Sequence, residues 1–118
     1  LELTPMTWGS LGQGILTGKY DLNSKFGYDD RRRLDIYVNF HGDKLKKNME
    51  IVDVLREIAV NRGKTLSACA IRFILDCIPE SVALAGIKRA DQLISNLDAM
   101  GWSFTHEEFK ALDEVSKL

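Results

Sequence analysis

At 118 residues, with 45% hydrophobic and 28% charged side chains, the chain is long enough for one modest core and too apolar to stay disordered. Its formal net charge of -1 argues against broad electrostatic attraction to nucleic acid or an anionic membrane, and no apolar run approaches the length needed to cross a bilayer.

Residues 3–8 read as a short strand. The sequence starts with Leu1, not Met, and goes almost directly into this strand with no leader pattern, so a piece of a longer protein is expected. Gly9, Gly12, Gly14 and Gly18 follow within ten residues. Such density breaks regular structure or lets the backbone approach something closely. Residues 20–42 carry scattered turn formers and read as one long irregular loop, of the kind that often serves as a lid or cover.

Asp43 is the expected cap of the next helix, in which Leu45, Met49, Val52, Leu55, Ile58 and Ala59 recur at helical spacing and Gly63 ends the run. Thr65 caps another helix, with Leu66, Cys69, Ala70, Phe73, Ile74 and Cys77 on its apolar face and Pro79 closing it. Residues 81–85 (SVALA) suit a buried strand. A helix beginning near Arg89 follows, with Ala90, Leu93, Ile94, Leu97 and Met100 expected inside and Gly101 at its end. Thr105 and Glu108 form a capping box ahead of Phe109, Leu112 and Val115.

The two cysteines, Cys69 and Cys77, lie eight residues apart in one helix, about 12 Å, which is too far for a disulfide. They read as small buried apolar side chains in a reducing cytoplasm, and no metal-ligand spacing is present. His41 and His106 are isolated and read as surface residues. The predicted order alternates strands with helices, which implies an α/β fold with a parallel sheet. Two strands do not make a stable sheet, so further strands must come from a missing N-terminal portion or another chain.

Two stretches can carry chemistry. In the first, residues 8–20 (WGSLGQGILTGKY), the glycines expose N–H groups able to cradle an anion, and Lys19 adds positive charge. It fails both G-x-G-x-x-G, since Thr17 stands at the third glycine, and the Walker pattern. A phosphate-binding loop and an ordinary glycine turn both remain open. In the second, residues 86–96 (GIKRADQLISN), Lys88 and Arg89 precede a helix N-terminus, where cations are unfavourable unless an anion sits there. Gln92 and Asn96 share one helical face and can present amides to a polar ring. The plainer reading is a solvated polar face.

Together, MTWGSLGQGILTGKY (6–20) and AGIKRADQLISNL (85–97) resemble the loops after the seventh and eighth barrel strands of aldo/keto reductases. The intervening IVDVLREIAVNRGKTLSACAIRFILD is similar to the two helices between them. The resemblance implies the C-terminal quarter of a (β/α)8 TIM barrel over residues 1–118, mostly helical with two short parallel strands. It also implies NADPH as cofactor and a small-molecule aldehyde or ketone as substrate. Trp8 then packs on the nicotinamide. Gly9, Ser10, Leu11, Gly12, Gln13 and Gly14 wrap the pyrophosphate with Lys19 nearby. Gly86 and Lys88 start the adenosine site, with the ribose 2′-phosphate on Lys88 alone or on Lys88 and Arg89 together. Gln92 and Asn96 contact adenine, and one of Arg31, Arg32 and Arg33 belongs to a cover over the cofactor. The family often has proline where this chain has Ser10 and Ala85, and glutamate where it has Ser95, which affects the details of adenine binding.

The family's catalytic Asp, Tyr, Lys and His lie in the first half of its barrel, and nothing here matches those motifs. The chain alone is therefore expected to be inactive. The same stretches also resemble the β subunits of voltage-gated potassium channels, which keep the cofactor site and act as binding partners. An inactive fragment without a ligand is a further alternative.

Overall fold

The computed structural model describes residues 2–117; Leu1 and Leu118, the ends of the expected span, lie outside the described residues. In chain order the elements are β1 (Met6–Thr7), a 3-10 stretch (Gly12–Thr17), two short 3-10 turns (Arg31–Arg33 and Val38–Phe40), α1 (Gly42–Arg62), α2 (Leu66–Cys77), β2 (Val82–Ala83), α3 (Ala90–Leu97) and α4 (His106–Ser116). The expected alternation holds, and β1 pairs in parallel with β2, Met6 opposite Val82 and Thr7 opposite Ala83. Both strands are shorter than expected. A two-stranded ladder forms few backbone bonds: Val82 N–H donates to Pro5 at 2.8 Å and Leu84 N–H to Thr7 at 2.8 Å.

The helix ends follow local chemistry. Gly63 ends α1 in the left-handed region at φ 66°, and the Lys64 N–H reaches back to the Ala59 carbonyl at 2.9 Å. The Thr65 hydroxyl accepts the Ala68 N–H at 3.1 Å and starts α2. The box at α4 is reciprocal: Thr105 accepts from Glu108 N–H at 3.2 Å while Glu108 accepts from Thr105 N–H at 2.8 Å. Asp43 is not a cap. His41 occupies the N-cap position without a side-chain bond, and Asp43 lies in the first turn, where its charge suits the helix dipole.

The core gathers Leu55, Ile58 and Ala59 of α1, Cys69 and Ala70 of α2, and Phe104 and Leu112 beside or within α4. Phe73 and Phe109 stack across it with centroids 4.9 Å apart. Arg62 locks α1 to α4 by forking onto Glu108 and donating to the Ser103 carbonyl at 3.2 Å. Arg62 and Lys64 both approach the Trp102 ring, their charged groups 4.8 Å and 5.7 Å from its centre. Arg72 pairs with Asp76 at 3.0 Å, and Asp76 also accepts the Phe104 N–H at 3.0 Å. These bonds tie α2 to the segment entering α4.

Four expectations about burial change. Val82 and Leu84 are exposed, so residues 81–85 do not form a buried strand. The side chains expected inside α3 also face outward: Leu93, Ile94, Leu97, Met100 and Ala90 are exposed. The half-buried side of α3 is instead polar, with Gln92, Ser95 and Asn96. Apolar periodicity locates a helix but does not require its partner to lie within the same residues. Cys77 is exposed at the end of α2, whereas Cys69 is fully buried. Burial pushes the Cys69 thiol up to about 11. Residues 20–42 are not wholly irregular, since they contain the two 3-10 turns. His41 is half-buried, its Nε2 2.9 Å from the Arg32 carbonyl, while His106 is exposed.

Candidate functional site

β1 and β2 run side by side, so the segments that follow them leave the same end of the sheet. One cleft of about 1250 Å³ lies between them. Its walls include Trp8, Gly9, Ser10, Leu11, Gln13, Gly14 and Lys19 from the first stretch, and Gly86, Lys88, Arg89, Gln92 and Asn96 from the second. Ser10 joins the two walls: it is 7% exposed, and its hydroxyl donates to the Leu84 carbonyl at 2.9 Å. Gly12 is the one expected residue placed elsewhere. It lines a separate apolar hollow of about 260 Å³ with Ile15, Leu16 and Leu55.

The first wall is a 3-10 stretch interrupted by two left-handed residues, Gln13 at φ 62° and Gly14 at φ 99°. The Gly14 N–H donates to Leu11 at 3.0 Å, and the Thr17 hydroxyl donates to the Gly14 carbonyl at 2.6 Å. Trp8 is 87% exposed. At the second wall, the Gln92 carbonyl oxygen accepts the Lys88 N–H at 2.7 Å and the Arg89 N–H at 3.2 Å, capping α3. Gln92 therefore has only its amide N–H groups to offer a ligand. Arg89 pairs with Asp91 at 3.0 Å, which holds the Asp91 carboxyl below its ordinary value.

Five basic side chains line the cleft, Lys19, Arg31, Arg32, Lys88 and Arg89, against the carboxylates Asp29, Asp30 and Asp91. Arg32 and Arg89 are taken up by Asp30 and Asp91. Among the described residues, no carboxylate pairs with Lys19, Arg31 or Lys88, which leaves a positive surplus in the cleft. The three arginines separate. Arg31 lines the cleft, and Arg32 lines it with its charge bound to Asp30. Arg33 turns away, donating to the Tyr28 carbonyl at 2.9 Å and lying over that ring. Hydrogen bonds from Arg32 hold Asp30 at about 2.

Sequence reasoning missed Asp29, Asp30, Thr65 and Ser67 as cleft residues. The sequence marks Thr65 only as a helix cap. Its hydroxyl also meets the Ser95 hydroxyl at 2.8 Å, a contact across 30 residues that no local pattern signals. Among the described residues, no group of three His, Cys, Asp or Glu side chains is placed to hold a metal, and no helix is long and apolar enough to cross a membrane.

The family model for the aldo/keto reductase family matches residues 2–117. The chain belongs to the aldo/keto reductase family. It is 31% identical over 115 residues to the aldo-keto reductase YhdN of Bacillus subtilis, covering 97% of this chain and 34% of that protein. It is 30% identical over 95 residues to a probable voltage-gated potassium channel subunit beta of rice, covering 80% of this chain and 29% of that one. The structure of the glycerol dehydrogenase AKR11B4 from Gluconobacter oxydans superimposes with a TM-score of 0.82 at 35% identity, over 95% of this chain and 33% of that one. This aldo/keto reductase chain thus spans about a third of the length of the relatives it matches.

Proposed function

We propose that the chain is the cofactor-holding part of an aldo/keto reductase, the last quarter of its barrel. The intact enzyme takes NADPH and reduces a small aldehyde or ketone in the cytoplasm. The observation that carries this reading is the cleft, which brings twelve of the thirteen candidate residues together from segments about 70 residues apart. Its volume, about 1250 Å³, exceeds the roughly 300–1,000 Å³ of sites for smaller ligands and suits a dinucleotide. Open space flanks the backbone at Gly9 and Gly86, where an added Cβ would meet nothing within 4 Å. Lys19, Arg31 and Lys88 supply charge for phosphates, and the Trp8 ring is bare enough for a planar group to lie on it.

When bound, NADPH supplies a hydride. The residues of this chain bind and orient it. Trp8 would present an aromatic face, the backbone of Gly9, Ser10, Leu11, Gln13 and Gly14 would hold the pyrophosphate, and Lys88 would meet the 2′-phosphate. Gln92 and Asn96 offer amides to adenine. The group that donates a proton to the carbonyl stands outside these residues, and the chain alone does not turn over substrate.

Titration of the purified protein with NADPH and NADH, by calorimetry and Trp fluorescence, tests the proposal. Saturable binding is expected, tighter for NADPH. Trp8→Phe should remove most of the quenching while leaving calorimetric binding, and Lys88→Glu should weaken NADPH far more than NADH. Binding that does not saturate would sink the reading. The rice relative favours a second reading, a cofactor-holding binding subunit. Carbonyl-dependent oxidation of NADPH by the full-length protein supports the reductase, and its absence with intact cofactor binding supports the subunit.

A further inference from the structure

We infer that Arg32 is a positioning residue that latches the long loop onto the Gln13 carbonyl and so holds the Gln13–Gly14 turn in its cofactor-ready form. This rests on the reading of the cleft as a dinucleotide site. Gln13 adopts φ 62°, a conformation that carries a steric penalty for any residue with a Cβ, so other contacts must hold it there. Its carbonyl accepts a hydrogen bond from Arg32 Nη1 at 3.1 Å. The same Nη1 donates to the Tyr20 hydroxyl at 2.7 Å. Arg32 Nε and Nη2 fork onto Asp30 at 3.0 Å and 2.6 Å.

Nε, Nη1 and Nη2 are thus all engaged within the chain, leaving little of the guanidinium to bind a ligand. The carbon at its centre also lies 4.9, 4.7 and 5.6 Å from the ring centres of Tyr20, Phe26 and Phe40. These rings pack on one another, Phe26 and Phe40 edge to face at 5.1 Å. The cage fixes the guanidinium, and the guanidinium fixes Gln13. Gly14 belongs to the same device, because a Cβ there would come within 3.3 Å of Arg32 Nη1 and 3.4 Å of the Tyr20 ring. Of the three consecutive arginines, Arg31 is left to face the ligand, while Arg32 acts through the loop.

Arg32→Lys keeps the charge but cannot make the fork. Two readouts test the latch. In the ligand-free protein, hydrogen exchange of the 12–17 amides should speed up about tenfold, the effect of losing one charge-assisted bond, with exchange in α1 and α2 unchanged as the control for folding. In calorimetry, NADPH and NADH should both weaken by a similar factor of about ten, since the turn serves both. Tyr20→Phe should shift both readouts the same way by less, and its effect should not add to that of Arg32→Lys. Unchanged exchange overturns the latch whatever the cofactor does. Weakening confined to NADPH overturns it by making Arg32 a 2′-phosphate ligand. If exchange responds but the wild-type protein binds neither cofactor, the dinucleotide reading fails, and the positioning role fails with it.

Discussion

Glu108 shows how one carboxylate holds two elements. Hydrogen bonds from Arg62 lower it from 4.5 to about 2, and it caps the α4 N-terminus at the same time. A carboxyl whose folded value is lowered stabilises the fold fully above its unfolded value, and that contribution fades as pH falls from 4.5 towards 2. Glu108→Gln should therefore lower stability at neutral pH and flatten the acid side of a stability-against-pH curve measured by denaturant unfolding. Part of the acid dependence should survive in that variant, because Asp30 is held at about 2 by Arg32. Neither pair was legible in the sequence. Arg62 and Glu108 are 46 residues apart, and although Arg32 and Asp30 are neighbours, the aromatic cage around them follows no period. The sequence did show features that depend on local chemistry alone, such as the glycines of the first cleft wall, where Gly9 and Gly14 take left-handed backbone.

At the scale of elements, caps and apolar spacing were enough to find all four helices. α2 begins where Thr65 allows it, and α1 stops where Gly63 turns left-handed. Thr65→Ala should cost about 1 kcal/mol, read as a fall in Tm of roughly 4 °C. Gly63→Ala should cost a similar amount from backbone strain alone, because its φ is 66° and a Cβ there meets no other atom. The strands were harder to place. Residues 3–8 and 81–85 look extended in sequence, but only two residues of each pair, since a strand is defined by neighbours that local sequence does not name. α3 was found as a helix but assigned the wrong buried face. Its polar side lines the cleft instead: Gln92 caps the helix locally, Ser95 meets Thr65 across 30 residues, and Asn96 faces the cavity.

Across the whole molecule, the apolar side of α3 and the exposed side chains of β1 and β2 give a surface richer in large hydrophobics than a free-standing domain usually presents. Ile94 is 70% exposed and Leu97 is 58% exposed, one turn apart. The 118-residue chain on its own should bind a hydrophobic dye and self-associate. The pair Ile94→Glu and Leu97→Lys should reduce both, with helix content by circular dichroism preserved. Unchanged dye binding would show that this face is not the source. The composition read from the sequence matched a globular chain throughout. What it missed is that much of the apolar complement points away from these residues' own core.

The bond between Ser10 and Leu84 joins positions 74 apart in the chain. Closing a loop of that size has an entropic cost that grows only slowly with length but must be met before the contact can form, whereas the helical turns form locally within nanoseconds to microseconds. The local turns of α1, α2 and α4 can therefore form before the Ser10–Leu84 bond closes the cleft.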